Sequence, residues 1–334
     1  MTRVSVVIPN YNKAKTLRAC LAAVYAQTRA PAEVIVVDDA STDGSRTIAA
    51  EFPCRVLAFA ANQGPSAARN AGAAAATGDV LFFLDSDIGL APDAIEVAVR
   101  LLQQRPECAV VQGIYDWQPL FADSRVEAYK TLCEHFWRRQ SVGESSATLF
   151  AMTAIRRYVF DEVGGFDESL TDAEDVEFGS RLPGRYVILT SDRVIGRHDD
   201  VDRFWPYLTE HVRRAHRYGG LLVRGFLAPS GGGGRRRRTD LSAVASMAAC
   251  VLAVATLPLA LVSGWLLLAP AALVAGFVAL DRALFGFVWR QRGAPFLGYV
   301  MAMQFLMYAT QCVGMCAGAL NVVWARRPLV GAFR

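Results

Sequence analysis

The sequence predicts an α/β domain built on a doubly wound, mostly parallel sheet, followed by apolar helices long enough to cross a membrane. Two observations carry this. From Val4 to Gln104, short β-rich runs alternate with helical stretches, the pattern of parallel strands joined by helical crossovers. Further on, Leu241–Leu280 is 40 residues without a charge and Gly293–Ala325 another 33, in a chain of 334 residues that is 53% hydrophobic and 20% charged. Such runs exclude a disordered chain and an ordinary soluble protein. The length allows about two domains at ~100–200 residues each.

Val4–Ile8 reads as a strand stopped by Pro9, and Thr16–Gln27 as a helix with Leu17, Leu21 and Val24 on one face. Glu33–Val37 is a second strand running into Asp38-Asp39, followed by turn and cap residues Ser41–Gly44 and a helix near Ser45–Glu51. Arg55–Phe59 is a third strand, Pro65–Thr77 an Ala-rich helix stopped by Gly78, and Val80–Leu84 a fully apolar strand ending at Asp85-Ser86-Asp87. Pro92 suits the first position of a helix to about Gln104. Ligands of such sheets sit off the carboxyl ends of the strands, so Pro9–Asn12, Asp38–Asp43 and Asp85–Asp87 are expected to line one crevice. The middle region reads less regularly, with a helix over Val126–Arg139 and a strand over Thr148–Ile155.

The soluble domain is expected to occupy residues 1–229 and a Gly/Arg linker residues 230–240. An apolar region over 241–325 reads as about three helices, near 241–262, 265–280 and 296–324. The 40-residue run would be about 60 Å long as one helix, twice the ~30 Å hydrocarbon core, so it is expected to fold back near Ser263-Gly264. The net charge of +4 is too mild to imply nucleic-acid binding. Its basic excess hugs the apolar segments: Arg235–Arg238 precede the first, and six arginines lie between Arg282 and Arg334 with Asp281 the one acid beside them. That is the pattern of a membrane face. Val4–Ile8 is too short for a signal-peptide core. The sequence therefore points to a multi-pass cell-membrane protein with its front domain on the cytoplasmic side; three crossings would leave Arg326, Arg327 and Arg334 outside, which a re-entrant third segment would avoid. The seven cysteines form no Cys-x-x-Cys pair and suggest neither a zinc site nor a disulfide framework.

Several segments carry chemistry. Two carboxylates two residues apart, as in Asp85-Ser86-Asp87, can hold a hard divalent cation that bridges a diphosphate. A second such triplet, Asp200-Val201-Asp202, reads as surface loop. Asp38 and Asp39 end a strand, where carboxylates can accept from a base imide or ribose hydroxyls, whereas Asp43 reads as a turn cap. Asn62–Asn70 opens a helix, and its N-terminus together with Arg69 suits an anion; a surface arginine is the plainer reading. In Gly164–Glu168 and Asp172–Asp175, an acid among acids has a raised proton affinity and can act as a general base, or the cluster simply favours a helix start. His198, as a neutral imidazole, could complete a metal site.

Together these segments resemble a family 2 glycosyltransferase of the GT-A fold. The resemblance rests on Val4–Asn12, Val36–Ser45, Asn62–Gly72, Asp85-Ser86-Asp87 and Gly164–Leu182, in the family's order over about residues 1–200. It implies a nucleotide-diphosphate-sugar donor, a divalent Mg or Mn ion, and inversion at the anomeric carbon. By the same resemblance Pro9 and Tyr11 border the base, Asp38 or Asp39 contacts base or ribose, and Arg69 and Asp85 help hold the nucleotide-sugar. Asp85 and Asp87 are the metal motif, with His198 a further ligand, and Asp175 is the catalytic base of a Glu-Asp motif whose first member is Glu174. The processive synthases' Gln-x-x-Arg-Trp stretch is absent; His211–Tyr218, with Arg213, Arg214 and Arg217, stands in its neighbourhood. Transfer of a single sugar to a membrane-associated acceptor, a polyprenyl phosphate or lipid-linked saccharide, is therefore expected. A nucleotidyltransferase is disfavoured because no Gly-rich triphosphate loop follows the first strand. A sugar-nucleotide-sensing subunit of a membrane transport system is disfavoured because no charge interrupts the long spans.

Overall fold

Val4–Asn10 (β1) is buried along almost its whole length, as a central parallel strand must be. The computed structural model describes residues 2–170, 173–227 and 239–325. Asp172, Arg235–Arg238, Arg326, Arg327 and Arg334 lie outside the described residues, as does nearly all of the expected linker.

After β1 come Ala14–Tyr25 (α1), Glu33–Asp38 (β2), Ser45–Ala50 (α2), Arg55–Ala58 (β3), Pro65–Ala75 (α3), Val80–Leu84 (β4), Ile88–Leu90 (β5) and Ala94–Gln104 (α4). Then follow Cys108–Tyr115 (β6), Arg125–Arg139 (α5), Gly143–Ser145 (β7), Met152–Arg156 (β8), Arg157–Val163 (α6), Glu174–Arg181 (α7) and Val187–His198 (β9). The last helices are Phe204–Leu227 (α8), Thr239–Thr256 (α9), Leu268–Leu280 (α10) and Arg282–Ala325 (α11). Two 3-10 stretches, Leu257–Leu261 and Gly264–Leu267, flank Ser263 and turn the chain between α9 and α10, where the fold-back is expected.

The nine described strands form one sheet in the order β3-β2-β1-β4-β8-β6-β9-β5, with β7 on β9. The β3-β2-β1-β4 half is entirely parallel. Beyond it β8 runs antiparallel to both neighbours, and β6 pairs parallel with β9, so the whole sheet is mixed. β1 does not stop at Pro9 but continues to Asn10. Proline has no N–H to donate, yet β4 pairs only with Val4–Val7, so one edge of β1 is already open there. Two apolar layers cover the sheet. Leu17, Leu21, Ile95 and Val99 pack with Val6, Ile8 and Phe82 on one face; Ala68, Ala73, Phe150, Phe160 and Phe178 pack with Val7, Ile35 and Phe83 on the other. On that second face α3 lies so close that a Cβ on Gly72 would collide with Val7. The strand expected over Thr148–Ile155 begins only at Met152; the residues before it form a bend with a separate task, described below.

The contacts divide the described residues into one unit over 2–123 and 130–200 and another over 124–129 and 201–325. Within the second unit, α8 and α11 meet through Ala215 and Gly219 on one helix and Gly314 and Gly318 on the other. A Cβ on Gly318 would overlap the His216 carbonyl, and one on Gly219 the Met315 carbonyl. Gly293 breaks α11 with φ 74°, two residues before Pro295. Among the described residues, two helices are long and apolar enough to cross a membrane, Ser242–Leu259 and Arg282–Trp324; a third apolar stretch, Gly264–Leu280, is shorter.

Candidate active site

In the parallel half of the sheet, β2 and β3 lie on one side of β1 and β4 on the other. This is the switch point at which an open α/β sheet leaves a crevice. A cleft of about 440 Å³ lies there, lined by Pro9, Tyr11, Lys13, Asp39, Arg69, Asp85 and Asp87 among others.

Arg69 organises its floor. It is 5% exposed; its Nη2 donates to Asp85 Oδ1 at 2.9 Å and its Nη1 to Glu174 Oε1 at 2.9 Å, with Asp175 Oδ1 3.9 Å away. The surface-arginine reading therefore fails. A guanidinium suits this place because its planar fork serves several carboxylates at once.

Asp85 and Asp175, far apart in the chain, converge through one short bend. Asp85 N–H donates to the Ala151 carbonyl at 2.8 Å, and the neighbouring Phe150 N–H donates to Asp175 Oδ2 at 3.0 Å. The Thr148 hydroxyl donates to the Asp175 carbonyl. Asn70 of α3 anchors the preceding turn, accepting from Phe166 N–H at 2.8 Å and donating to the Phe166 carbonyl at 2.9 Å. Burial pushes the Asp85 carboxyl up to about 6 against the pull of Arg69, with the Asp87 charge adding to the rise. Burial also raises Asp175, opposed by Arg69 and reinforced by Glu174.

Asp87 has a different environment. Its Oδ2 accepts from Lys13 Nζ at 2.7 Å, while its buried Oδ1 has no hydrogen bond and faces His198 Nε2 at 3.5 Å. His198 reaches this position because β5, which starts directly after Asp87, pairs Ile88 with His198. The ring stacks on Tyr115 with centroids 4.6 Å apart, and its Nδ1 lies 3.5 Å from Asp200 Oδ2. Burial works against an imidazolium here, but Asp200 and Asp87 outweigh it and raise the His198 proton affinity. Asp200 is not surface loop. Its side chain is 7% exposed and takes Lys130 Nζ at 2.5 Å. Burial would raise its carboxyl, and His198 and Lys130 hold it far below the usual range. Glu134 joins His198 and Asp200 in a cluster whose ligand atoms lie within 4.8 Å of one another.

Asp38 and Asp39 point differently. Asp38 is 1% exposed and accepts from Asn10 Nδ2 at 3.1 Å, Ser41 N–H at 3.2 Å and Arg46 Nε at 2.5 Å. Despite its burial, these bonds lower its proton affinity. Asp39 lines the cleft, and its two oxygens accept from Gln63 N–H at 2.7 Å and Gly64 N–H at 2.8 Å, so it shapes the loop before α3. Asp43 holds the turn before α2 and ties it to the first residue of α1, accepting from Ser45 N–H and Ala14 N–H, both at 2.9 Å. Tyr11 is half exposed at the mouth. Among the described residues, the non-glycine positions with positive φ are Asn12, Ala40 and Ala173. They follow Tyr11, follow Asp39 and precede Glu174; backbone strain gathers where function over-determines geometry.

Sequence reasoning missed Lys13, Tyr115, Glu134 and the burial of Asp200. The one local signal was position: Lys13 directly follows the Pro9–Asn12 turn, and Asp200 comes two residues after His198.

A cleft lined by carboxylates and one buried arginine, at the switch point of an α/β sheet, defines a class of proteins that handle anionic, nucleotide-like ligands. Comparison with known proteins narrows it. Residues 5–164 match the model of Glycosyl transferase family 2, and that stretch is a family 2 glycosyltransferase domain on a GT-A-like sheet. A glycosyltransferase of Haemophilus influenzae is 30% identical over 192 residues, covering 53% of this chain and 61% of the relative. Glycosyltransferase AglE of Haloferax volcanii is 30% identical over 203 residues, 58% of this chain and 66% of its own. The chain thus spans less than two thirds of these relatives. Among solved structures, the mannosyltransferase PcManGT of Pyrobaculum calidifontis, in complex with GDP-Man and Mn2+, aligns with a TM-score of 0.56 at 20% identity, over 98% of this chain and 88% of that one. At that identity the likeness concerns the fold.

Proposed function

We propose that the chain is a membrane-anchored, metal-dependent inverting glycosyltransferase that moves one sugar from a nucleotide-diphosphate-sugar to a membrane-associated acceptor, a polyprenyl phosphate or lipid-linked saccharide. The observation that carries this reading is Arg69, buried and shared by Asp85 of the expected metal motif and Glu174 of the expected Glu-Asp motif. Through that one guanidinium the Glu-Asp pair is tied to the acid that ends β4 and lines the cleft.

Donor base and ribose lie against Pro9 and Tyr11, with Asp38 and Asp39 holding the loops that frame them. The diphosphate lies over Asp85, Asp87 and Arg69. A divalent Mg or Mn ion fits the oxygen-rich set there. Asp87 Oδ1 is buried without a hydrogen bond and faces the His198 imidazole at 3.5 Å, and Asp200 behind the ring is placed to orient it, as carboxylates behind metal-binding histidines do. Such an ion would offset charge gathering on the departing diphosphate, a task Arg69 shares.

Asp175 takes the acceptor hydroxyl proton. Its raised proton affinity suits a base, and Phe150 N–H fixes its carboxylate. Glu174 holds Arg69. A phosphate acceptor needs alignment more than deprotonation, and Asp175 then contributes less. Residues 1–229 form the catalytic domain on the cytoplasmic side, and 241–325 the membrane region. The two long apolar helices support a membrane region, and the mannosyltransferase bound to GDP-Man and Mn2+ supports the nucleotide-sugar and metal.

The test is an assay of purified full chain in detergent with UDP- and GDP-sugars, membrane lipid extract, and Mn2+ or EDTA. Sugar on a lipid product, lost with EDTA, is expected. Donor binding without turnover under every condition would refute the reading in favour of a sensor.

A further inference from the structure

The two carboxylates of Asp85-Ser86-Asp87 each already have a basic partner, and the two partners differ in freedom. Arg69 is 6% exposed at its side chain and fixed by Asp85 and Glu174. Lys13 is 42% exposed at its side chain, and Asp87 is the one hydrogen-bonded partner of its ammonium among the described residues. Its backbone is pinned: Lys13 N–H donates to Ser45 Oγ at 3.1 Å, and its carbonyl accepts from Thr16 N–H at 3.0 Å and Leu17 N–H at 2.9 Å at the start of α1. A fixed backbone thus carries a four-carbon stem whose compact ammonium can turn without disturbing the fold. Lys13 also lines the cleft shared by Arg69, Asp85 and Asp87.

The Lys13 ammonium occupies Oδ2 of the carboxylate that a divalent cation would need. We propose that Lys13 is a displaceable counter-ion of the metal site. It holds Asp87 when no metal is bound and turns to the donor's diphosphate when a divalent cation takes that carboxylate. This rests on the metal reading above and deepens it. Two cations compete for Asp87 until an anion arrives that can accept the ammonium. Metal and nucleoside diphosphate therefore bind cooperatively, each strengthening the other by the same factor. Lys13 positions and couples; it is not assigned to the sugar-transfer step.

The test titrates Mn2+ into purified full chain, following free Mn2+ by electron paramagnetic resonance, alone and with saturating UDP or GDP. Wild type is expected to bind Mn2+ weakly alone and more tightly with one of the nucleotides. Lys13→Met is expected to bind Mn2+ alone about twofold to fivefold more tightly than wild type, the upper range of an exposed ion pair. It should also bind the nucleotide more weakly at saturating Mn2+. Lys13→Arg should keep the wild-type pattern, and Lys13→Gln provides a second neutral side chain if Lys13→Met folds poorly. Unchanged or weaker Mn2+ binding by the neutral variants, with Asp87→Asn abolishing binding, would overturn the role of Lys13 alone. No Mn2+ binding by wild type with either nucleotide would overturn the metal reading itself, and the proposal with it.

Discussion

Arg69 Nη2 stands 2.9 Å from Asp85 Oδ1, and the pair is closed from water on the arginine side, where the side chain is 6% exposed. The contact ties the first turns of α3 to the end of β4. The other arm of the same guanidinium holds Glu174 at the start of α7. One residue thus joins three segments and leaves two acids without compensation if it is lost.

Arg69→Met should therefore destabilise the glycosyltransferase unit by about 3–5 kcal/mol, the usual cost of leaving buried charge unpaired, and abolish donor binding. Arg69→Lys keeps the charge but not the fork, so it should fold better and still bind donor poorly. Thermal melting with nucleotide titration checks both. A fully stable Arg69→Met that binds donor normally would contradict the assignment.

Asp175 is a carboxyl whose proton affinity burial has raised. A raised acid keeps its proton to higher pH, and a base works only once that proton is gone. The acidic limb of kcat/KM should accordingly lie above the ordinary aspartate value of about 3.9, rising with pH through the folded pKa and flat beyond it. A limb at or below the ordinary value would show that Asp175 is not the group being titrated.

Asp200 faces His198 Nδ1 at 3.5 Å while Nε2 faces Asp87. Loss of an orienting carboxylate typically costs about 10–100-fold in metal affinity, so Asp200→Asn should weaken Mn2+ binding by that order with Asp85 and Asp87 intact. Calorimetric titration with Mn2+ and UDP or GDP reads this directly. Unaltered affinity would remove His198 from the metal site.

Gly72 lets α3 lie against β1 and β2. An added Cβ would collide with Val7 and stand 3.2 Å from Val37 Cγ2. Gly72→Ala should cost about 1–3 kcal/mol through overpacking, despite alanine's better helix propensity. The melting temperature should fall, whereas a rise would mean that α3 sits further from the sheet.

The parallel half of this fold was open to reading from the sequence because its information is local. Val80–Leu84 is a fully apolar run closed by an acid, and Asp38-Asp39 ends another. Strand ends in such sheets share an edge, so Asp85, Asp87 and the Pro9–Asn12 turn can be placed together from the sequence. The other half depends on long-range pairing. β9 carries Thr190, Ser191, Asp192 and Arg193 in its middle and shows no clean alternation, so its role in placing His198 beside Asp87 was hidden. Asp200 looked like surface loop because its burial comes from Lys130 on α5 and His198 on β9. The small-residue contact between α8 and α11 escaped for the same reason, since close approach of two helices is a property of the pair.

Nucleotide binding and sugar transfer measured together in Asp175→Asn decide whether Asp175, held beside Arg69 and Asp85, serves sugar transfer. Mn2+-dependent donor affinity is expected within about twofold of wild type and, with a hydroxyl acceptor, transfer slowed by about 10²–10⁴-fold, the contribution of a positioned base. Wild-type rates of transfer to that acceptor from Asp175→Asn would remove the base and the reading built on it.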